Sequence, residues 1–259
     1  MSETYIFTTG EKAVERLEFQ KQLGLDWSFE HLQKAGIREG MTVVDMGCGV
    51  GAMTAELAKL VGDSGIVYAF DISEKQLEIA RAKTESEGLK NVIFICGDIY
   101  SNNDIPINTV DLIYMRYLLM HIKSPDLAIT GLKKLLKSDG VIASQESIIS
   151  SFTLIPDCMN VYLELGRQRG VDYDLGKRSV SLYQDAGFSK VDVEYKQLKI
   201  PGSDMKKLVK LGINEWKDKA LEAGIINQDQ LESWQTQINN FSGEIEYPLA
   251  TQAYVLAWN

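Results

Sequence analysis

The sequence predicts an α/β fold built on a doubly wound, largely parallel sheet. Three observations carry that expectation. Apolar runs of strand length alternate with segments of helical apolar spacing between residues 41 and 144. A glycine-rich bend follows the first run, and an aspartate stands at or just past the end of each of the first three (Asp45, Asp71 and Asp98).

Residues 41–46 are a short apolar run that stops in glycines, the mark of a buried strand. Met53, Leu57, Leu60 and Val61 then recur at helical spacing. Residues 66–70 predict a second buried strand. Ser73 opens the next helix, and Gln76 three residues on completes a capping-box pattern. Residues 92–95 and 110–115 predict the third and fourth strands. Ser124-Pro125 is an N-cap followed by proline at the first helical position. Ala128, Leu132, Leu135 and Leu136 form that helix's apolar stripe, with Lys133, Lys134 and Lys137 late in it, where cations suit the dipole. Asp139-Gly140 turns the chain into a fifth strand at 141–144. Strands separated by helices imply right-handed crossovers, and ligands of such sheets bind at the strands' carboxyl ends.

Two regions break this rhythm. Residues 1–36 read as helical and precede the first strand. Residues 203–241 add two helices, with Leu231, Trp234, Ile238 and Phe241 on one face. Residues 191–200 and 247–258 are β-like and suit an antiparallel pair. The outer helices either cover the ligand end of the sheet or pad the core.

The chain's 259 residues suit one large domain. Its net charge of −9 argues against nucleic acid and anionic membrane as partners, since a phosphate-gripping protein carries a basic face. No secretory signal pattern opens the chain, and no stretch approaches a membrane span. Cys48, Cys96 and Cys158 are too few and too scattered for a disulfide framework or a metal site. A reducing cytoplasm is the expected compartment.

The chemistry gathers at Asp45-Met-Gly47-Cys48-Gly49-Val-Gly51. Glycines let the backbone turn sharply and approach a ligand, and the helix behind the bend offers free N–H groups. A glycine triplet alone also fits a dinucleotide site. The three acids separate the readings. Asp71 is placed to accept from both ribose hydroxyls, Asp98 to face an adenine amino group, and Asp45 to meet a methionine ammonium. An acid beside the glycines serves a pyrophosphate poorly, because like charges repel.

Val43-Val-Asp-Met-Gly-Cys-Gly-Val-Gly51 resembles the first motif of class I S-adenosylmethionine-dependent methyltransferases. Asp71-Ile72-Ser73 and Gly97-Asp98-Ile99 resemble the next two, and residues 132–140 resemble the helix and turn before their fifth strand. The resemblance covers roughly residues 35–150. It implies a Rossmann-like seven-stranded sheet, mostly parallel with a reversed last strand, under a helical cap. S-adenosyl-L-methionine is then the cofactor and S-adenosyl-L-homocysteine the product. Residues 5–20 and Arg116-Tyr-Leu-Leu-Met-His121 are similar to segments of ubiquinone/menaquinone-type and natural-product methyltransferases, which act on small molecules. By that similarity Tyr5 and Gln20 close over the cofactor, while Gly47, Cys48, Gly49, Gly51, Ile72, Gln76, Gly97, Ile99, Met115 and Arg116 join the three acids around it. The implied division is one domain over 1–259: a lid at 1–36, a cofactor-binding core at 37–150, cap insertions at 151–175 and 203–243, and the rest of the sheet at 176–202 and 244–259.

For the acceptor side the residues leave alternatives open. His121 is either a base that takes the acceptor's proton near pH 7 or a hydrogen-bonded packing residue. His31 reads as structural. Arg116 meets a carboxylate of cofactor or substrate, or pairs with Glu15 or Glu146. Glu146 lines the acceptor pocket or is a solvated strand end. Arg167 and Arg169 attract an acidic substrate or are simply solvated. A thiol mechanism at Cys48 is disfavoured, because Cys96 is expected buried on a strand and isolated buried thiols are inert. Three rivals remain: a nucleotide-dependent oxidoreductase, a cofactor-binding regulatory module without turnover, and a protein methyltransferase. Base methylation is disfavoured because Tyr114-Met-Arg-Tyr-Leu stands where an Asn/Asp-Pro-Pro-aromatic motif belongs.

Overall fold

The computed structural model describes residues 11–101 and 104–259. The first glycine-terminated run is strand β1 (Thr42–Met46), buried from Val43 to Met46. Helix α2 (Thr54–Val61) carries the chain to β2 (Ile66–Asp71), and α3 (Glu74–Ser86) leads to β3 (Val92–Cys96). Strand β4 (Val110–Arg116) follows, then α4 (Pro125–Lys133) and β5 (Leu136–Ile148). After α5 (Pro156–Arg169) and α6 (Ser179–Asp185) come β6 (Lys190–Lys196) and β7 (Lys199–Pro201). Helices α7 (Gly202–Glu222) and α8 (Gln228–Asn239), then β8 (Glu246–Pro248) and β9 (Thr251–Trp258), complete the chain, and α1 (Glu11–Lys34) precedes β1.

Seven strands form one sheet in the order β3-β2-β1-β4-β5-β9-β6. The first five are parallel, and β9 runs antiparallel to both β5 and β6. The chain order reverses between β1 and β4, so a crevice opens at the carboxyl ends of those strands. Strands β7 and β8 pair separately as a two-stranded ribbon. One apolar core lies between one face of the sheet and α4, α5, α6 and the cap; a second packs α2 and the end of α1 on the other face. No helix among the described residues is long and apolar enough to cross a membrane.

Three local expectations are corrected. Helix α4 ends at Lys133, so Leu135 and Leu136 lie beyond it, and Lys137 sits in β5 with its Nζ 2.7 Å from Asp111 Oδ1. The cause is pairing: Val110 already faces Leu136, and a bulge then brings Leu112 opposite Val141. Ser73 makes no side-chain cap; its N–H donates to Asp71 Oδ1 at 2.9 Å. A capping box forms instead at Asn227 and Gln230 of α8. Cys96 is exposed, because β3 is the edge of the sheet.

Helix α1 is fastened largely by charge. Lys21 pairs with Glu56 of α2 at 2.7 Å, Glu18 with Lys83 of α3, and Glu30 with Lys196 of β6 at 2.6 Å. Arg16 reaches Glu215 of α7 at 2.9 Å, with both side chains nearly sealed from solvent.

Candidate active site

The glycine bend is shaped by close contacts. Gly51 has φ +74, and a Cβ there would stand 2.8 Å from Ala80 Cβ and 2.9 Å from its Cα. This glycine therefore seats the bend against α3 and does not face the cavity. Gly49, at φ +55, keeps its Cα open toward Leu17 and Gln76, and its N–H donates to Asp71 Oδ2 at 2.9 Å. The carboxylate at the tip of β2 thus ties the bend in place.

A cavity of about 580 Å³ starts at this bend, within the roughly 300–1,000 Å³ usual for small-molecule sites. Its walls include Gln20, Asp45, Gly47, Cys48, Gly49, Asp71, Ile72, Gln76, Gly97, Asp98, Ile99, Arg116 and His121. Of the residues expected around the cofactor, Gly51 and Met115 do not line it. Met115 is fully buried in the core, because alternation along β4 turns Tyr114 and Arg116 to the cavity and Met115 to the opposite face. Tyr5 lies outside the described residues.

The acids differ in state. Asp45 is buried; Thr54 Oγ1 donates to its Oδ2 at 2.6 Å, and burial pushes its carboxyl up to about 6. Asp71 is also raised by burial, against the Ser73 and Gly49 N–H groups that favour its ionised form. An ionised carboxylate has about four acceptor sites, and the backbone N–H groups of Ser73, Gly49 and Ile72 leave part of that capacity on Asp71 for a ligand. Asp98 is exposed at the mouth, its Oδ1 accepting from Tyr100 N at 3.0 Å. Gln76 is buried with its Oε1 unpartnered, and it lines the cavity. This donor set fits a cationic nucleoside: a desolvated acid, a carboxylate edge and an orphaned amide oxygen all border one bend.

The other half of the cavity is apolar. Phe152, Met159 and Tyr162 come from α5 and the loop before it, and Leu208, Ile213 and Trp216 from α7. Tyr162 stacks on Tyr173 with ring centres 4.3 Å apart, and Trp216 stands 6.2 Å from Tyr162. The α7 residues were legible as a stripe, since Met205, Val209, Ile213, Trp216 and Ala220 recur at helical spacing. Nothing local marks them as lining a cavity.

His121 sits where the two halves meet, in the short 3₁₀ turn Leu119–His121 after β4. Burial, with Arg16 nearby, pushes its imidazole down to about 3. Its ring is edge-on to Tyr173 at 5.3 Å. His31 is buried against Tyr254, away from the cavity walls, and burial lowers it to about 4. Glu146 answers to neither earlier reading: it is buried, does not line the cavity, and holds backbone N–H groups. Arg116 pairs with neither Glu15 nor Glu146; it lies 5.8 Å from the centre of the Tyr117 ring and helps keep Asp45 ionised. Arg167 pairs with Glu164, away from the cavity. Cys48 is buried and its thiol is pushed well up, which leaves it inert.

Residues 37–162 match a family model described as a methyltransferase domain. A Shewanella ubiquinone/menaquinone biosynthesis C-methyltransferase UbiE is 30% identical over 114 residues, covering 44% of this chain and 45% of that protein. The Escherichia coli UbiE is 29% identical over 188 residues, 64% of this chain and 73% of the relative. The chain spans about half the length of the first curated relatives it matches. The crystal structure of a SAM dependent methyltransferase from Aquifex aeolicus aligns with TM-score 0.50 at 27% identity, over 65% of this chain and 81% of that one. A putative methyltransferase from Bacillus halodurans, at 16% identity and TM-score 0.60, shares the fold over 88% of this chain and 96% of its own. These matches give residues 37–162 a methyltransferase domain, and with the seven-stranded sheet and the acid-lined bend they make the chain similar to the class I S-adenosylmethionine-dependent methyltransferases. Within that class it is similar to the small-molecule type that the UbiE proteins represent.

Proposed function

We propose that this chain transfers a methyl group from S-adenosylmethionine to a small, largely apolar acceptor held beneath α5 and α7. The observation that carries this reading is one continuous cavity, which joins the acid-lined bend to the chamber of Phe152, Met159, Tyr162 and Trp216. When bound, S-adenosylmethionine supplies an electrophilic methyl carbon on a sulfonium. Asp71 takes the ribose hydroxyls on its remaining acceptor capacity, and Asp45 draws the ammonium. Asp98 faces the adenine edge, and Gln76 offers its orphaned oxygen. Gln20, Ile72, Gly97, Ile99 and Arg116 complete the wall.

Transfer of this kind is an in-line displacement, and holding the reactants in line can supply about 7–11 kcal/mol of the barrier. The chain's task is therefore orientation and exclusion of water, which the lid and cap perform. His121, pushed down to about 3, is neutral at pH 7 and a weak base. In this reading it orients the acceptor through a hydrogen bond, and transfer does not depend on it as a strong base.

Calorimetric titration with S-adenosylhomocysteine, in wild type and Asp71→Ala, tests the cofactor half. Binding lost in the variant is expected; NADH binding in place of the nucleoside thioether would overturn the reading. Labelled S-adenosylmethionine offered with neutral ring compounds tests the acceptor half, against which stands label appearing only on protein.

A further inference from the structure

A concentrated set of polar contacts lies away from the cofactor's acids. Glu146, near the carboxyl end of β5, is 1% exposed. Burial pushes its carboxyl up to about 8, against the three consecutive backbone N–H groups it accepts from: Leu118 at 3.1 Å and Leu119 at 2.8 Å to Oε1, and Met120 at 3.4 Å to Oε2. The first N–H groups of a helical turn have no carbonyl of their own to meet, and here one side chain from another strand gathers them. Among the described residues no cation forms a salt bridge with this carboxylate.

What the carboxylate holds is a strained and crowded segment. The chain enters it through Tyr117 at φ +53, a left-handed backbone that non-glycine residues avoid unless their surroundings fix it. Leu118 then wedges against the glycine bend: a Cβ on Gly47 would stand 2.7 Å from Leu118 Cδ1. Met120, His121 and Ile122 continue along the cavity wall. The segment is thus the boundary between the cofactor's bend and the apolar chamber, and its position depends on Glu146 more than on its own hydrogen bonding.

We propose that Glu146 is a positioning residue: by collecting three successive amides it fixes the turn Leu118–His121 as the partition between cofactor and acceptor, and so sets where the His121 imidazole stands. The word acceptor rests on the function proposed above; the placement of the turn does not. Glu146→Gln puts an amide donor where one oxygen accepts, so at least one N–H group loses its partner and the strained entry at Tyr117 can relax.

The chain's two histidines make the test selective. His31, on α1, is held neutral by its own burial against β9 and is the internal control. His121 faces Arg16 of α1 and the Tyr173 ring, while Glu146 is bound to the backbone N–H groups of Leu118, Leu119 and Met120. Proton NMR of the imidazole signals from pH 8 to pH 5 is expected to show neither histidine titrating in wild type. In Glu146→Gln, His121 alone should begin to titrate toward its ordinary value of about 6.5. No change at His121, or an equal change at both rings, overturns the proposal, because general loosening would release both. Hydrogen exchange of the wild-type Leu118, Leu119 and Met120 amides covers the case in which the variant does not fold. Protection matching the β4 and β5 amides supports the clamp, and exchange as fast as an exposed loop refutes it. Calorimetry with S-adenosylhomocysteine keeps the two readings apart: failure of wild type to bind sinks the function and leaves the histidine titration to decide on Glu146.

Discussion

The two ends of the cavity are built on opposite plans. The cofactor end is made mainly from strand tips within residues 45–99: glycines, three acids and a buried glutamine, each within three residues of a strand or helix terminus. The acceptor end is made from α5, α7 and the loops around them, some fifty residues or more beyond the last cofactor acid in sequence, and its wall is aliphatic and aromatic. The first plan recognises one ligand by charge and hydrogen bonding. The second excludes water and selects by shape. A substitution at one end should therefore leave a signature that the other end does not share.

The largest expected effect is at the bend. Gly51→Ala adds a Cβ 2.8 Å from Ala80 Cβ at a residue with φ +74. Left-handed backbone costs a non-glycine residue about 1–2 kcal/mol, and overpacking about 1–3 more. Urea denaturation should show the sum, about 2–5 kcal/mol. A loss below about 1 kcal/mol would mean that the bend is not braced on α3. Next comes Asp71→Ala. Hydrogen bonds to a charged group contribute about 1.5–3 kcal/mol each, and two to the ribose imply affinity for S-adenosylhomocysteine lower by at least about a hundredfold. Asp71 also holds Gly49 and Ser73, so Asp71→Asn should recover part of the loss. Equal binding by Asp71→Ala and wild type would remove this acid from the cofactor end.

A third, smaller effect is a pH dependence confined to the cofactor end. The Asp45 carboxyl is raised to about 6, above its ordinary value of about 3.9. For stability the sign is that of a raised group: the contribution is full below the unfolded value and is lost as pH rises through 6. Binding runs the other way, because an ammonium ligand needs the carboxylate ionised. Affinity for S-adenosylhomocysteine should be full above pH 6 and fall by up to about tenfold per unit below it. Asp45→Asn should bind weakly and without that slope. A wild-type profile flat from pH 7 to pH 5 would place the ammonium elsewhere.

The same division explains what could be read from the sequence. Strand alternation, the bend and the acids at strand tips are local signals, and the parallel order of β1 to β5 follows from them. Met115 lies in the core because a strand presents alternate residues to each face, and a motif of consecutive residues does not show which of them face the ligand. Lys137 and Leu136 looked helical until a pairing with Val110, some 26 residues earlier, claimed them for β5. Glu146 looked like a solvated or pocket residue because its three partners are backbone N–H groups at 118–120, which no side-chain pattern reveals. The acceptor chamber was hidden for a related reason. An apolar stripe such as Met205, Val209, Ile213 and Trp216 has the same spacing whether it meets the core or a ligand.

Trp216 gives the finest test of the comparison, with the smallest expected effect. The side chain is 3% exposed, edge-on to Trp234 at 6.1 Å and tilted over Tyr162 at 6.2 Å, and it belongs to the chamber wall. Trp216→Phe keeps a ring in place and removes volume and the indole N–H. A large-to-small exchange of this kind costs on the order of 1–3 kcal/mol, so the fold should persist. No polar atom at the cofactor end touches Trp216 among the described contacts, and affinity for S-adenosylhomocysteine should stay within about twofold of wild type, the scatter expected for sites that do not interact. The acceptor should respond, because the space beside Tyr162 grows: KM should rise for a ring compound that fills the wild-type chamber and fall for a bulkier one. A change in cofactor affinity as large as that of Asp71→Ala would show that the two ends act as one site, and the division of labour drawn between them would fail.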